Sequence, residues 1–211
     1  MLNPSYICIE GVIGAGKTSL TSMLGKVLNA RVMYEQPEEN PFLEDFYRDP
    51  QRFAFQTQLF FLLSRYRQQQ DFFQRDLFHD MMISDYLFAK DRIFATLNLD
   101  DRELLLYDRV ASLLEQDIPS PDLVIYLQST PERLLQNIKY RARSFEKNIS
   151  EEYIRSLNEA YNRFFFHYSA TPLFVVNCTQ IDFVHNEKHF NDLVKQILKP
   201  HSGIEYYSPE I

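Results

Sequence analysis

Glycine is the residue this chain lacks most: there are 5 in 211 residues, where average usage supplies roughly 15. Three of them, Gly11, Gly14 and Gly16, lie almost side by side. None falls between Gly25 and Gly203, so a D-x-x-G element is impossible there. The N-K-x-D pattern that reads guanine is also absent, and together these absences exclude a switch-type GTPase. Positive charge is short too, with 22 Lys and Arg against 29 Asp and Glu, a net charge of −7. That balance argues against a nucleic-acid footprint, which needs a clustered basic surface. Two cysteines, Cys8 and Cys178, are too few for a disulfide framework. Each sits beside an apolar run and reads as a buried thiol in a reducing compartment. The start, MLNPSYICIE, has no basic segment followed by a long apolar stretch, so no signal peptide is expected. No run approaches the ~18 apolar residues of a membrane-spanning helix. The expectation is a cytoplasmic protein with no membrane or nucleic-acid partner.

What is present alternates in a regular way. Short apolar runs at Tyr6–Ile9, Arg31–Tyr34, Met81–Ile83, Leu123–Leu127 and Leu173–Asn177 read as five strands. Helical periodicity covers Lys17–Ala30, Gln51–Arg75, Tyr86–Asn98, Asp101–Gln116, Pro131–Arg143, Ser150–Tyr168 and Asn186–Lys199. Thr130-Pro131 is a sound helix start, a capping residue followed by proline at the first helical position. Continuous apolar strands alternating with helices predict a parallel sheet covered on both faces. The fold class is therefore α/β, three layers around a five-stranded parallel sheet. Residues 1–200 form one domain with no linker or repeat, and residues 201–211 read as a loose tail in which Tyr206 and Tyr207 can dock.

The clustered glycines carry the chemistry. Gly11-Val12-Ile13-Gly14-Ala15-Gly16-Lys17-Thr18 fits G-x-x-x-x-G-K-[ST], placed after a strand and at the start of a helix. Such a loop turns successive N–H groups toward a phosphate at the positive end of a helix. Lys17 adds a charge on the outer phosphates, Thr18 a hydroxyl ligand for Mg²⁺, and Ser19 continues the same turn. Arg141 and Arg143, with Lys139 close by, place cations at a helix end, where they can neutralise a transferring phosphoryl group. A helical lid over about residues 139–148 follows. Without glycine near Arg141–Glu146, the lid is expected to close by hinging of helix ends. A small-molecule kinase using ATP and Mg²⁺ fits this set best.

The ordered motifs then show a resemblance covering nearly the whole chain. They are the phosphate loop, Glu35-Gln36-Pro37, Asn40-Pro41-Phe42-Leu43 with Phe46-Tyr47, Gln58 through Ser64-Arg65, Ser84-Asp85-Tyr86, Asp91-Arg92-Ile93-Phe94-Ala95, Arg141-x-Arg143-x-x-Glu146 and Asp182-Phe183. In these the chain resembles the deoxynucleoside kinases, in particular the bacterial deoxyadenosine/deoxyguanosine/deoxycytidine kinase group. The resemblance implies that Glu35 is the base for the sugar 5′-hydroxyl and that Tyr47 and Glu146 hold the 3′-hydroxyl. Gln58 would bond the base through its amide, with Arg65 and Asp91 at the base edge. Spacing to Arg65 favours Gln58 over the neighbouring Gln56, and Phe53, Phe55 and Phe61 are candidate walls of the base pocket. An acid at Asp91 goes with adenine, guanine or cytosine rather than thymine. Asp182 and Phe183 would hold the ATP adenine. The resemblance also implies a homodimer, through the helix from Gln51 or the Tyr86–Gln116 stretch.

Two positions depart from the pattern. Many relatives have an arginine after the acid that ends the third strand; here Tyr86 follows Asp85. Asp85 remains as the acidic group for magnesium. A lid arginine is replaced by Asn137, and Lys139 and Lys90 are the two candidates to compensate. A nucleoside monophosphate kinase of the thymidylate type, or a nucleotide-binding module without turnover, are the alternatives. The missing arginine counts against the first; the presence of Glu35, Lys17 and both lid arginines counts against the second.

Overall fold

A computed structural model describes residues 5–72 and 79–209. Its centre is a parallel sheet in the order β2-β3-β1-β4-β5-β6. The strands are β1 (Tyr6–Gly11), β2 (Arg31–Met33), β3 (Met82–Ser84), β4 (Leu123–Gln128), β5 (Leu173–Asn177) and β6 (Ile204–Tyr207). The helices are α1 (Lys17–Val27), α2 (Leu43–Arg48), α3 (Pro50–Phe72), α4 (Lys90–Asn98), α5 (Asp101–Glu115), α6 (Pro131–Arg141), α7 (Glu151–Phe166) and α8 (Glu187–Ile197). All of β1 and β4 up to Leu127 is buried, as expected for strands covered by helices on both faces. Registers such as Ile9↔Ile125 and Val124↔Leu173 stack their aliphatic side chains into one core.

The chain leaves β1 toward β2 and β3, then crosses to β4 on the other side of β1. That reversal opens a crevice beyond the carboxyl ends of the strands, where ligands of open α/β sheets bind. The phosphate loop, Glu35 and Asp85 all stand at those ends.

The sheet has six strands, not five. Residues expected as a loose tail contain β6, which pairs in parallel with β5 from Leu173↔Ile204 to Val176↔Tyr207. The Tyr207 ring stacks on Phe174 at 6.0 Å between centroids. An edge strand has one wet side, so its half-exposed Ile-Glu-Tyr-Tyr pattern carries little apolar signal.

Helix bounds differ from the expected ones for local reasons. Residues 86–89 form a turn before α4, because the Leu87 N–H donates to the buried carboxylate of Glu10 at 2.8 Å. The Pro131 helix stops at Arg141, where Ala142 takes a left-handed φ of 48°. Arg143 is then extended, and Ser144–Glu146 makes one 3₁₀ turn. The helix begun at Pro50 is described to Phe72, and its expected extension to Arg75 lies outside the described residues. Cys8 and Cys178 are buried free thiols. Among the described residues no helix is long and apolar enough to cross a membrane.

Candidate active site

The phosphate loop links β1 to α1, and its glycines have steric reasons. Gly14 has φ 88°, and a Cβ there would meet the Leu134 carbonyl of α6 at 2.6 Å. Gly16 has φ 96°, and a Cβ would strike the Phe183 ring at 2.9 Å. No side chain caps α1, so its first amides stay available to an anion. Lys17 Nζ donates to the carbonyls of Gly11 at 2.6 Å and Val12 at 3.3 Å, which holds its charge at the loop. Val12, Ile13 and Ala15 complete the loop, with Val12 and Ala15 buried beneath it. Thr18 and Ser19 lie exposed on the first turn of α1.

Glu10 is a buried carboxylate that sequence reasoning passed over. It accepts from the N–H of Gly11 at 2.9 Å, the hydroxyl of Tyr161 at 3.3 Å and the N–H of Leu87. It therefore anchors both the start of the loop and the turn leading into α4. An acid at the end of the apolar run Tyr6–Ile9 was the available signal.

Thr18 Oγ1 donates to Asp85 Oδ2 at 2.7 Å, and the Glu35 N–H donates to Asp85 Oδ1 at 2.6 Å. Burial, then the like charge of Glu35, raises the Asp85 carboxyl above its usual range. A hydroxyl and a partly destabilised carboxylate at the loop mouth suit a hard divalent cation. Among the described residues no group of three or more His, Cys, Asp or Glu could hold a metal. Two oxygen donors, the Thr18 hydroxyl and the Asp85 carboxylate, fit Mg²⁺, which takes few protein ligands and binds phosphate oxygens.

Glu35 sits just past β2 with both oxygens engaged. Arg65 binds Oε1 through Nε, at 3.1 Å, and Nη2. Lys90 Nζ donates to Oε2 at 2.8 Å. Burial would raise this carboxyl, but Lys90, Arg65 and Lys17 outweigh burial and hold it well below the usual range. Burial, then the like charge of Lys90, pushes the Lys17 ammonium down to about 8. Arg65 also pairs with Asp91 on the first turn of α4 and lies 4.8 Å over the Phe61 ring. The result is a buried relay Asp91–Arg65–Glu35–Lys90.

A cleft of about 770 Å³, its open mouth included, is lined by the loop, Glu35 and residues of α3. Lys17, Thr18, Glu35, Tyr47, Gln58, Arg65, Asp85, Arg141, Arg143 and Glu146 line it, as the motifs predict. Gln58 is 2% exposed and its Oε1 has no hydrogen-bond partner. A buried amide oxygen left open this way is costly unless a ligand satisfies it. Gln56 instead donates to the Arg52 carbonyl and is not on the cleft wall. Of the three phenylalanines only Phe61 reaches the wall; Phe53 and Phe55 pack into neighbouring apolar clusters. Asp91 stands behind Arg65 rather than in the cleft. Tyr47 packs against Phe46 and Tyr153 at the other end.

At the lid, Arg141 grips Glu146 through Nη2 and through Nε at 2.8 Å. Arg143 lies over Phe145. Asn137 donates from Nδ2 to the Gly14 carbonyl at 2.8 Å, tying α6 to the phosphate loop. Lys139 is exposed and off the cleft, so only Lys90 of the two compensating candidates lies within it. Asp182 folds onto its own loop, accepting the N–H groups of Val184 and His185 at 3.1 and 2.9 Å. Phe183 is buried against Gly16, behind the phosphate loop. The cleft joins an anion cradle to a half-apolar, amide-lined pocket, with one carboxylate between them.

Known proteins share this design. The family model for deoxynucleoside kinases matches residues 7–201. A deoxyadenosine kinase of Dictyostelium discoideum is 42% identical over 166 residues, covering 77% of this chain and 67% of the relative. A deoxyguanosine kinase of Bacillus subtilis is 38% identical over 157 residues, covering 74% and 76%. The solved deoxyadenosine kinase of M. mycoides with bound dATP superposes with a TM-score of 0.79 at 29% identity, over 91% of this chain and 98% of that one. A loop that cradles phosphate, facing a carboxylate and an open amide, is thus read alike by geometry and by kinship: the chain belongs to the deoxynucleoside kinase family, and it is an ATP-dependent deoxynucleoside kinase.

Proposed function

We propose that the protein phosphorylates the 5′-hydroxyl of deoxyadenosine, deoxyguanosine or deoxycytidine, rather than thymidine, from ATP and Mg²⁺, returning salvaged nucleosides to the nucleotide pool. The observation that carries this is one cleft lined by Lys17, Glu35 and Gln58 together. Gln58 offers a carbonyl acceptor and an amide donor to one base edge. The Arg65–Asp91 pair fixes the floor beside it. Relatives named for deoxyadenosine, deoxyguanosine and deoxycytidine support the base class. Asp182 and Phe183 are assigned to the adenine side of ATP.

In this mechanism Tyr47 and Glu146 hold the sugar 3′-hydroxyl, which points the 5′-hydroxyl at Glu35. Glu35, ionised because two cations hold it so, accepts that hydrogen bond and takes the proton as the oxygen attacks the γ-phosphorus. The loop amides and Lys17 keep the outer phosphates in line, while Arg141 and Arg143 neutralise charge on the transferring group. Thr18 and Asp85 would hold Mg²⁺, which would supply positive charge against the outer phosphates. Arg141 has one partner in Glu146, so releasing it to a phosphoryl oxygen couples lid position to sugar binding.

The test is ADP release from ATP–Mg²⁺ with each of the four deoxynucleosides, then with their monophosphates. Turnover is expected with deoxyadenosine, deoxyguanosine or deoxycytidine. Turnover confined to monophosphates would replace this reading with a monophosphate kinase. Glu35→Gln should lower kcat roughly 10²-fold, the scale of a lost general base.

We also propose a homodimer. Leu105, Leu106 and Leu113 of α5 are 58%, 52% and 70% exposed, an apolar surface that association would cover.

A further inference from the structure

Lys90 is a buried charge to which the mechanism above gives no task beyond holding Glu35 ionised. It is 2% exposed, yet its ammonium reaches the wall of the cleft. Its Nζ lies 5.9 Å from the ring centroids of both Tyr86 and Phe94. A lysine has three N–H donors, and here one goes to Glu35 Oε2. If Lys90 served stability alone, it would be a poor device. Arg65 already satisfies Glu35 at Oε1, and a buried ion pair gains little over apolar packing of the same volume.

The geometry gives the charge a different use. Arg65 places two N–H groups on Oε1, so the oxygen left for a substrate hydroxyl is Oε2. Lys90 sits on that same oxygen. A sugar hydroxyl that donates to Oε2 therefore brings its own oxygen beside Nζ. Lys90 and Lys17 line the same cleft. Two ammonium groups that face one small space repel unless an anion enters between them. The turn that aims Lys90 is anchored on Glu10, as is the start of the phosphate loop. Both ammonium groups thus hang from one fixed point. Tyr86, which occupies the position after Asp85, cannot take this part, since its hydroxyl turns inward to Gln68 at 2.9 Å and to Met33.

We propose that Lys90 is a catalytic residue, whose ammonium contacts the attacking 5′-oxygen and the incoming γ-phosphoryl group while Glu35 takes the proton. The proposal rests on the 5′-hydroxyl acceptor assigned above. The 5′-oxygen forms a bond to the γ-phosphorus, the bond from that phosphorus to the β,γ-bridging oxygen breaks, and its electron pair leaves with ADP. The hydroxyl proton passes to Glu35 Oε2, and Lys90 stays protonated throughout. Its charge stabilises negative charge gathered on the entering oxygen and phosphoryl group.

The experiment compares Lys90→Gln, Glu35→Gln and the double variant, each with ATP–Mg²⁺ and the best deoxynucleoside. Glutamine at 90 keeps a donor for Glu35 but no charge, so a merely positioning role survives it. The expected result is a kcat lower by roughly 10²-fold, with deoxynucleoside Kd within about threefold of wild type. The double variant should be at least about tenfold slower than Glu35→Gln. A Lys90→Gln enzyme with near-normal kcat, or a double variant no slower than Glu35→Gln, overturns the proposal. If Lys90→Gln melts early, the pair Glu35→Gln and Glu35→Gln/Lys90→Met is compared instead, because that double variant removes both partners of the pair. Wild type inactive on every deoxynucleoside would remove the acceptor reading; active wild type with unaffected variants removes only the role of Lys90.

Discussion

At the residue scale, the site is built by setting opposite charges against burial. Glu35, Arg65, Lys90 and Asp91 would each be costly alone in this floor; as a relay they neutralise one another. Burial pushes the Glu35 carboxyl up, but its cations hold the folded value below the unfolded one. The sign of the pH effect follows. The stability contributed by Glu35 is complete above about pH 4.3 and fades as pH falls toward the folded value. Denaturant unfolding of wild type and Glu35→Gln should thus show a constant gap between roughly pH 5 and 7 that narrows in more acid solution. A gap that narrows already above about pH 6 would show that Glu35 is not held ionised. For catalysis, Glu35 remains a hydrogen-bond acceptor across the neutral range, and it accepts the proton only as the hydroxyl oxygen commits to phosphorus.

At the element scale, α6 touches both ends of the cleft. Its middle carries Asn137 onto Gly14, and its end carries Arg141 onto Glu146. The helix ends at Ala142, which is left-handed at φ 48°. That conformation costs a residue with a Cβ about 1–2 kcal/mol, whereas glycine loses about 0.4–1 kcal/mol through the freer unfolded chain. Ala142→Gly should therefore stabilise the protein by up to about 1 kcal/mol, or leave it unchanged, by thermal unfolding. A clear loss of stability would mean that the turn is not strained. The second element is β6. Ladder bonds near 1 kcal/mol each and an aromatic stack of about the same worth sum to several kcal/mol. Deleting residues 201–211 should lower Tm by roughly 5–10 °C; an unchanged Tm would make the segment the loose tail that its composition suggests.

At the scale of the whole molecule, the net charge of −7 coexists with a cleft lined by Lys17, Arg65, Lys90, Arg141 and Arg143. The cleft thus gathers positive charge locally, which matches the charge of a nucleotide. The proposed dimer makes a measurable claim at this scale. Sedimentation across a concentration series should approach twice the protomer mass of 25.1 kDa, and charged replacements of Leu105 and Leu113 together should return it to one. A single protomer mass at every concentration would remove the dimer.

Much of this was legible in one dimension. The loop motif, the five buried strands and the order of helices rest on local rules: a glycine where φ must be positive, apolar runs where both faces are covered, a capping residue where a helix begins. Gln58, Tyr47 and Glu146 were named through the family resemblance and Arg141 through its place beside a phosphate loop, and all four line one cleft. Three things were not legible. Glu10 and Lys90 lie 80 residues apart in sequence, and only the pairing of β1 with β3 brings the turn after Asp85 under the end of β1. The pairing of Arg65 with Asp91 was expected and is present, but that Arg65 also grips Glu35 follows from where α3 lies against the end of β2. β6 is too short and too wet to announce itself, and becomes a strand only because β5 offers it an open edge. Sequence alone determined what the chain can bind, because a phosphate cradle is a local object. The tertiary structure decided which buried charges face one another, because pairing across a sheet obeys the geometry of the strands and not their distance along the chain.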